Sequence, residues 1–591
     1  MAFDGLVTKS VVLELQSVLI GGKINKIYQP NRNEILLGIY SSGKNYALTI
    51  CIDSNHCRIH LTTSTKPNPL SAPNFCMLLR KHLIGNRIQA IRTFGLERII
   101  EIEMEGYNEL KDKTQKKLMI ELMGKHSNIL LLNENDTIID CLRHLDIASH
   151  SYRDLLPARK YVFPVLHKVD FTNLSSFTDF KDTLLQYMEN QEVKDIPLDT
   201  LISNCFTGFS KSFIQYTCNQ LAISLNNILD TDLKKLYDYL VLFMQELDNQ
   251  NVCFTTYEQV RRQKIHQDYV LTIGTKEELL QLNWKLDDYY TQKEQNEAFL
   301  TYRNNMLRII LDSLKKYTNR LAHINQKLAE CDKMDTYRIY GELLTSNLYR
   351  FQENVASVTL ENYYENNKEI TIPLDKRHSP SYNAKLFFKK YTKLKNALVI
   401  VGKQKEETKQ ELSYLESLVY ELESAKTIAD LDEIYNELEE STLFQDKFTF
   451  LKKKNNKKKS ESKKKERILT PLTYHIDGYT ILVGKNNKQN DYLTLKVARK
   501  QDLWFHTQKI HGSHVVLKIE NRQEDIPESI LLTCAKLAAY HSKGKNSTNV
   551  PVDYTFIQNV KKPSGSKPGM VVYVDYKTIF VTPEDFTKNM S

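Results

Sequence analysis

Residues 307–328 read LRIILDSLKKYTNRLAHINQKL, and apolar side chains recur in this stretch at alternating spacings of three and four residues. This spacing predicts a long helix with one apolar seam, as in a coiled coil. The seam consists of Leu307, Ile310, Leu314, Tyr317, Leu321, Ile324 and Leu328. Because a lone helix cannot bury such a seam, we expect the chain to supply a partner helix.

A shorter seam further along the chain is the candidate partner. It consists of Leu412, Leu415, Val419 and Leu422. We therefore expect an antiparallel pair of helical arms, at about 288–331 and 395–440, that carries a small module at its tip. The alternative is two unrelated core helices, because a seam of this length is weak evidence for pairing.

The chain has 591 residues, which is too long for a single hydrophobic core. Alternating apolar segments before about residue 165 predict a mixed region of mostly antiparallel strands and two helices. Short helical segments follow this region, and a compact α/β module follows the arms. We predict a multidomain α+β protein with five segments: 1–170, 171–275, 276–445 with the tip module at about 332–394, a linker at 446–467, and 468–591.

Composition argues against several classes of protein. No apolar run reaches the ~18 residues that a membrane helix needs, and the N-terminus lacks the pattern of a signal peptide. The nine cysteines include no Cys-x-x-Cys pair, which argues against a disulfide framework, a zinc ribbon or a redox motif. We therefore expect a soluble, cytoplasmic protein with no membrane partner, no metal and no cofactor.

The net charge is +9, and the basic excess is concentrated in the linker. Residues 452–465 read KKKNNKKKSESKKK, with nine lysines and one acidic residue. Such a segment cannot bury enough apolar surface to fold alone. Two interpretations remain open: a solvated spacer, or a contact with a nucleic-acid backbone.

Residues 204–210, NCFTGFS, separate two short helical segments. A glycine-containing turn between two helices is typical of a helix-hairpin-helix, whose turn amides commonly bind a phosphate. A plain corner of a helical bundle fits the same pattern.

The C-terminal module contains the densest polar pattern of the chain. GKNNKQND at 484–491 places amides and lysines in a loop after a strand, which suits an anion or a nucleic-acid backbone. Trp504 either stacks on a base or fills the core, and the adjacent Phe505 favours the core. The spacing of His506, His511 and His514 does not fit a known zinc motif, so hydrogen bonding is the better interpretation.

Eight sequence blocks, spread over essentially the whole chain, form a recognisable set. They are MAFDG at 1–5, ELMGKHSNILLL at 121–132, YGELLTSNLY at 340–349, IPLDKRHSPSYNAKLFFKKY at 372–391, GKNNKQND at 484–491, LTLKVARKQDLWFH at 493–506, GSHVV at 512–516 and VDYTFIQNVKKPSGSKPGMVVY at 552–573. In content and order they resemble the NFACT family (Rqc2, NEMF or RqcH, formerly fibronectin-binding protein A), in its bacterial RqcH-like form. The resemblance implies an NFACT-N domain, a helix-hairpin-helix domain, coiled-coil arms with a middle tip module, a basic linker and an NFACT-R RNA-binding domain.

The resemblance also implies a function. Members of this family bind large (50S) ribosomal subunits that are obstructed by peptidyl-tRNA, and they recruit a charged tRNA, chiefly alanine tRNA. The stalled chain then receives a template-free alanine tail that marks it for proteolysis. The ribosomal peptidyl transferase centre would form each bond, so no catalytic residue and no enzyme activity are expected of this chain. Implied partners are 23S rRNA, tRNA, peptidyl-tRNA and a small RNA-binding protein on the same subunit.

The resemblance assigns tRNA recognition to an acidic residue and an arginine, which match Glu97 and Arg98, with Asp4 in support. The family usually has Asp in place of Glu97, and the longer side chain moves the carboxylate by one methylene group. Neighbours in an extended segment point to opposite faces unless Gly95 allows a turn. The alternative for Arg98 is an ion pair with an acid on a neighbouring strand.

The resemblance also implies RNA contacts in the C-terminal module. The matching residues are Lys485, Asn486, Asn487, Asn490, Asp491, Lys496, Arg499, Asp502, Trp504, His506, Ser513 and His514. Two departures put local turn geometry in doubt. The chain has His511 where the family commonly has Pro, and Ala158 where it commonly has Gly.

Two other functions compete with this interpretation. The N-terminal half also resembles a formamidopyrimidine-DNA glycosylase, but the chain lacks the N-terminal Pro-Glu and the paired cysteines of such an enzyme, so a glycosylase-like fold put to a new use is expected. A surface adhesin that binds fibronectin is the second rival, and the absent signal peptide and the lysine-rich linker argue against it.

Overall fold

The computed structural model describes residues 3–107, 112–145, 153–165, 167–190, 196–226, 229–261, 264–274, 280–351, 355–441, 443–444, 470–519 and 526–586. The chain divides into two compact units, Met1–Gln295 and Asn296–Ser591, which is a coarser division than the five predicted segments. The predicted basic linker at 446–467 lies outside the described residues. Within the described ranges, no helix is long and apolar enough to cross a membrane.

The first unit contains a nine-stranded antiparallel sheet in the order β4-β3-β2-β1-β5-β6-β7-β8-β9. Its strands are β1 (Lys23–Asn31), β2 (Glu34–Ser41), β3 (Lys44–Cys51), β4 (Arg58–Leu61), β5 (Arg87–Thr93), β6 (Ile99–Tyr107), β7 (Lys113–Glu121), β8 (Asn128–Asn133) and β9 (Ile138–Cys141). Helices α1 (Gly5–Leu19) and α2 (Asn74–Leu83) accompany the sheet. The predicted mixed region of antiparallel strands and two helices is thus confirmed.

A second group of elements completes this unit. It comprises α3 (Phe177–Asn190), α4 (Leu198–Cys205), α5 (Lys211–Gln220), α6 (Asp230–Asp248), β10 (Val252–Arg261) and β11 (Lys264–Ile273). The sheet, α1 and these helices share one hydrophobic core, in which Leu15, Ile102 and Phe213 are all buried. This shared core fixes the turn between α4 and α5 against the start of α1 and the sheet.

Long helices dominate the start of the second unit. They are α7 (Gln281–Cys331), which crosses the boundary between the units, α8 (Met334–Ser346), α9 (Pro380–Ser424) and α10 (Ile428–Glu440), with a hairpin of β12 (Ser357–Asn362) and β13 (Lys368–Pro373) between α8 and α9. Ile310 of α7 and Leu415 and Leu422 of α9 lie in one hydrophobic cluster. A supercoiled pair of arms remains a prediction.

The predicted return arm is interrupted in the structure. It is not one helix to residue 440, because α9 ends at Ser424 and α10 begins at Ile428. Thr427 and Asp430 form a capping box: the Asp430 amide donates to the Thr427 hydroxyl at 3.2 Å, and the Thr427 amide donates to the Asp430 carboxylate at 2.9 Å. This motif satisfies the first amides of a new helix and therefore starts one.

The C-terminal part of the unit contains a six-stranded sheet, in the order β14-β15-β17-β16-β18-β21, and a separate two-stranded sheet of β19 and β20. Its elements are β14 (Leu472–Ile476), β15 (Tyr479–Val483), α11 (Asn487–Tyr492) running into a π-helix (Leu493–Val497), β16 (Leu503–Thr507), β17 (Val515–Leu517), α12 (Glu528–Tyr540), β18 (Val550–Phe556), β19 (Val560–Lys561), β20 (Val572–Tyr573) and β21 (Lys577–Val581). Every described strand pair in this sheet is antiparallel, so the predicted α/β module is α+β. Helix α12 covers one face, and the π-helix packs over Trp504 on the other.

Candidate nucleic-acid interface

Three backbone segments of the first unit meet at Gly5, Leu96 and Gly208. The Gly5 amide donates to the Gly208 carbonyl oxygen at 3.1 Å. A Cβ atom on Gly5 would lie 1.9 Å from the Leu96 carbonyl oxygen, and one on Gly208 would lie 2.5 Å from Leu96 Cβ. Gly208 also has φ +91°, which favours glycine. The MAFDG and NCFTGFS motifs therefore serve one junction, which only residues without a Cβ can form.

Asp4 and Ser210 connect the first turns of two helices at this junction. Asp4 caps α1 by accepting from the Val7 amide at 3.1 Å, and Ser210 caps α5 by accepting from the Phe213 amide at 3.2 Å. The Ser210 hydroxyl donates to the second Asp4 carboxylate oxygen at 2.7 Å. Burial raises the pKa of Asp4, and the hydrogen bond from Ser210 opposes this shift. Asp4 is therefore a buried residue that holds the two helix starts together. Both of its carboxylate oxygens already accept a hydrogen bond within the chain.

Glu97 and Arg98 lie in a turn that precedes β6. Gly95 has φ +56°, and the Glu97 amide donates to the Phe94 carbonyl oxygen at 3.0 Å. Both side chains are half-buried, and both line the same cavity. Gly95 thus provides the turn that allows neighbouring side chains to face one ligand.

The cavity has a volume of about 760 Å³ and lies entirely within the first unit. Its polar lining comprises Asp4, Glu97, Arg98, His167, Lys168, Ser203, Asn204, Thr207, Ser210, Lys211, Ser212, Gln215 and Gln259. Cations at Arg98, Lys168 and Lys211 suit phosphate oxygens, whereas carboxylates and amides suit base edges. This mixture fits a segment of RNA better than a purely apolar or purely anionic ligand.

Sequence reasoning missed several polar residues of this cavity, among them Lys168, Gln215 and Gln259. Lys168 donates to the Ser203 carbonyl oxygen at 2.5 Å, and burial together with the charge of Arg98 lowers its pKa. Gln259 donates to the Gln215 side-chain oxygen at 2.9 Å. Neither pair carries a local sequence signal, because each joins residues from different elements that only the fold brings together.

In the second unit, the polar loop 484–491 contacts acidic side chains of α9 and α10. The Asn486 side-chain amide donates to Glu433 at 2.7 Å, and the Asn487 backbone amide donates to Glu421 at 2.6 Å. Lys485 lies 3.7 Å from Asp430. The groups expected to contact RNA are therefore occupied by carboxylates of the same unit.

Other predicted residues of this loop hold the module together. Asn490 accepts from the His514 amide at 3.0 Å. Asp491 pairs with Lys562 and accepts from the Gly569 amide at 3.1 Å. Asn490 and Asp491 thereby connect the loop to two other segments of the C-terminal module, which is a structural role.

Several predicted RNA contacts lie in the interior of the module, and their assignment to its surface is corrected here. Trp504 is 0% exposed, so a base cannot stack on its ring, and the core interpretation fits. Asp502 is 0% exposed as well and pairs with Lys518 at 2.6 Å. His514 is buried against Thr494, with 2.7 Å between Nδ1 and the hydroxyl, and Ser513 is buried beside it.

His506 and His514 are poor phosphate ligands. Burial lowers the pKa of His506 to about 4 and also lowers that of His514. Both imidazoles are therefore neutral near pH 7 and do not supply positive charge. Lys496 and Arg499, in contrast, are exposed, and among the predicted residues they are the cations that RNA can reach directly, whereas Lys485 is exposed but lies beside Asp430.

One cluster among the described residues has the composition of a metal site: Asp140, Cys141 and His144. None of them was predicted as a site residue. The Cys141 thiol donates to the Leu155 carbonyl oxygen at 3.1 Å, and burial raises its pKa to about 12. A metal ion would have to displace both the thiol proton and this hydrogen bond, so we assign no metal to the cluster.

Comparison with known proteins gives two family matches. Residues 4–464 match the model described as NFACT N-terminal and middle domains, and residues 472–575 match the NFACT protein RNA binding domain. The chain is 35% identical to the Rqc2 homolog RqcH of Bacillus subtilis over 99% of this chain and 98% of that protein. It is 34% identical to the Rqc2 homolog RqcH of Streptococcus suis, over 100% of both chains.

Among solved structures, the C-terminal part of the fibronectin/fibrinogen-binding protein from Streptococcus suis is similar to this chain, at 34% identity. The match covers 49% of this chain and 96% of the chain in that structure, with a TM-score of 0.37.

Proposed function

Because the chain belongs to the NFACT family, which includes the Rqc2 homologs RqcH, we propose that it is a ribosome-associated quality control factor. It binds obstructed large (50S) ribosomal subunits that carry peptidyl-tRNA in the cytoplasm. It then recruits alanyl-tRNA, so that the stalled chain receives a template-free C-terminal alanine tail that marks it for proteolysis.

The observation that carries this proposal is the cavity at Glu97 and Arg98. The turn at Gly95 places a carboxylate and a guanidinium on one cavity wall, beside the turn between α4 and α5. Arginine offers a planar set of donors for a phosphate or a guanine edge, and a carboxylate accepts from a base amino group. Such a pair can read a tRNA, whereas a single cation would give only charge.

The chain contributes position rather than bond-forming chemistry in this proposal. The peptidyl transferase centre of the ribosome joins each alanine, and a tRNA held in the correct place makes that step effectively unimolecular. The two long helices α7 and α9 would form the coiled-coil arms that carry the tip module. The exposed Lys485, Lys496 and Arg499 would contact the backbone of 23S rRNA.

The test is a reconstituted extension reaction with purified large subunits that carry peptidyl-tRNA, alanyl-tRNA and this chain. We expect the mass of the stalled peptide to increase in steps of one alanine. Arg98→Ala should abolish the steps while the protein still sediments with the subunit, because many distributed contacts hold it there. Arg92→Ala is the matched control, since Arg92 is an exposed arginine of β5 that pairs with Glu101 at 2.9 Å.

Two results would contradict the proposal in different ways. No extension by the unmodified chain with any aminoacyl-tRNA would refute tail synthesis. Loss of both extension and sedimentation in Arg98→Ala, but not in Arg92→Ala, would refute the separation of tRNA recognition from subunit binding.

A further inference from the structure

The loop 484–491 and its neighbours are covered by a row of acidic side chains from α9 and α10. Besides the contacts of Asn486 and Asn487, the pairs are Lys488–Glu440 at 2.7 Å, Lys567–Glu411 at 2.9 Å, His511–Glu416 at 3.3 Å and Gln489–Glu433 at 2.7 Å. Except for His511, the groups that contact these carboxylates are lysines and amides. Lysines and amides are also groups that bind a nucleic-acid backbone. We call the carboxylates Glu411, Glu416, Glu421, Asp430, Glu433, Glu437 and Glu440 the acidic face.

Helix α10 is strongly acidic. Its sequence, IADLDEIYNELEE, contains six acidic residues and no lysine or arginine. Carboxylates spaced along a helix present to the loop what a phosphate backbone would present: a series of anionic oxygens. The acidic face therefore occupies the loop in the manner of an RNA strand.

The centre of this contact is strained in electrostatic terms. Glu421 and Glu437 are 5% and 2% exposed, and Asn487 donates to both, at 2.6 Å to Glu421 and 3.3 Å to Glu437. Tyr414 also donates to Glu437, at 2.8 Å. The second oxygen of each carboxylate is buried without a hydrogen-bond partner. Burial and the neighbouring Glu437 raise the pKa of Glu421, and burial raises the pKa of Glu437, so ionising both carboxyl groups in the closed contact is costly and opening the contact would hydrate them.

We propose that the acidic face covers the loop 484–491 in the free protein and that an RNA phosphate backbone displaces it. This inference rests on the proposed RNA-binding function and adds its regulation. The closed contact keeps the lysines and amides of the loop from binding other anions, and only RNA that can replace the carboxylates opens it. Because only open molecules bind RNA, the apparent affinity equals the affinity of the open form multiplied by the open fraction.

The experiment compares two double variants of the full chain that change net charge equally. Glu433→Gln with Glu440→Gln weakens the acidic face, whereas Glu406→Gln with Glu407→Gln alters exposed positions earlier on α9. A fluorescent single-stranded 20-nucleotide RNA is the probe. We expect the first variant to bind at least about fivefold more tightly, with a steeper salt dependence, and the control to change by less than about twofold. Equal changes in both variants, or no change, would overturn the proposal.

Hydrogen exchange provides a measurement without substitution. In the free protein the Asn487 amide, bonded to Glu421, should exchange slowly. When RNA binds, amides of α10 should exchange faster, because RNA displaces the acidic face from the loop. RNA then covers the loop in its place. RNA binding that leaves the exchange of α10 unchanged would overturn this proposal alone. If the RNA probe does not bind to any variant, the proposed RNA contact of this module also falls.

Discussion

The Ser210 hydroxyl donates to the Asp4 carboxylate at 2.7 Å, and this bond joins the first turns of α1 and α5 beside the cavity at Arg98. Asp4 belongs to the MAFDG motif at 1–5, and Ser210 belongs to the glycine-containing turn NCFTGFS at 204–210. Their contact makes one site from two distant motifs. The same contact indicates that Asp4 acts on the order of the site rather than on RNA directly.

Asp4→Ala should therefore lower the free energy of unfolding, by about 1–3 kcal/mol, because α1 loses its cap and the half-buried Ser210 hydroxyl loses its acceptor. Asp4→Asn should lose less, since its amide oxygen can still cap α1. Urea denaturation of the full chain measures both. Equal losses in the two variants would show that the carboxylate charge, and not the cap, is what Asp4 supplies.

Gly208→Ala should destabilise the chain more than Gly21→Ala. Both glycines have positive φ, +91° and +79°, so both substitutions force alanine into the left-handed region, at about 1 kcal/mol. A Cβ on Gly21 would meet nothing within 4 Å, whereas one on Gly208 would lie 2.5 Å from Leu96 Cβ. We expect an additional loss of about 1–3 kcal/mol for Gly208→Ala in urea denaturation. Similar losses would mean that the junction yields to a methyl group.

Lys496→Ala with Arg499→Ala should weaken binding of a single-stranded RNA at least about tenfold at low salt, with little loss of stability.

Trp504→Phe should do the reverse: it lowers the free energy of unfolding by about 1–3 kcal/mol and leaves the RNA Kd unchanged, because the ring lies in the core. Fluorescence anisotropy and urea denaturation separate the two effects. A folded Trp504→Phe with weakened RNA binding would return Trp504 to the RNA surface.

The buried Glu437 predicts a pH dependence of stability. Burial raises its pKa from 4.5 to about 7 in the folded chain. Between these values the folded state binds more protons than the unfolded state, so the free energy of unfolding falls as pH rises from about 4.5 to 7. Glu437→Gln should make this pH-dependent loss of stability smaller, by on the order of 1–3 kcal/mol across the window. Glu423→Gln should leave the loss unchanged, because Glu423 is an exposed residue of α9. An unchanged slope in Glu437→Gln would contradict this pKa shift.

The sequence predicted what depends on local pattern. The periodicity from Leu307 to Leu328 predicted a helix that the structure places within Gln281–Cys331, and alternating segments predicted the antiparallel N-terminal sheet. The start of α10 is also local, since Thr427 and Asp430 have capping-box spacing, but the predicted arm at about 395–440 passed through this position without a break. Ala158 has φ +65°, where the resembled family commonly has glycine.

Contacts between distant residues could not be predicted from pattern. Asn487 and Glu421 are 66 positions apart, and Ser210 and Asp4 are 206 apart. Asparagine and lysine in a loop suit RNA and a carboxylate equally well, because both partners present anionic oxygens. Only the fold reveals that the acidic face meets the loop, and that Asp502 and His514 are interior residues.

Ultraviolet crosslinking of the tagged protein in cells, followed by sequencing of the attached RNA, tests the central claim most directly. The account predicts enrichment of 23S rRNA together with one or a few tRNA species, alanine tRNA foremost. The Arg98→Ala protein should lose the tRNA and keep the rRNA. If neither class of RNA exceeds an untagged control, the role in ribosome quality control is contradicted, and adhesion to fibronectin or DNA binding must be examined instead.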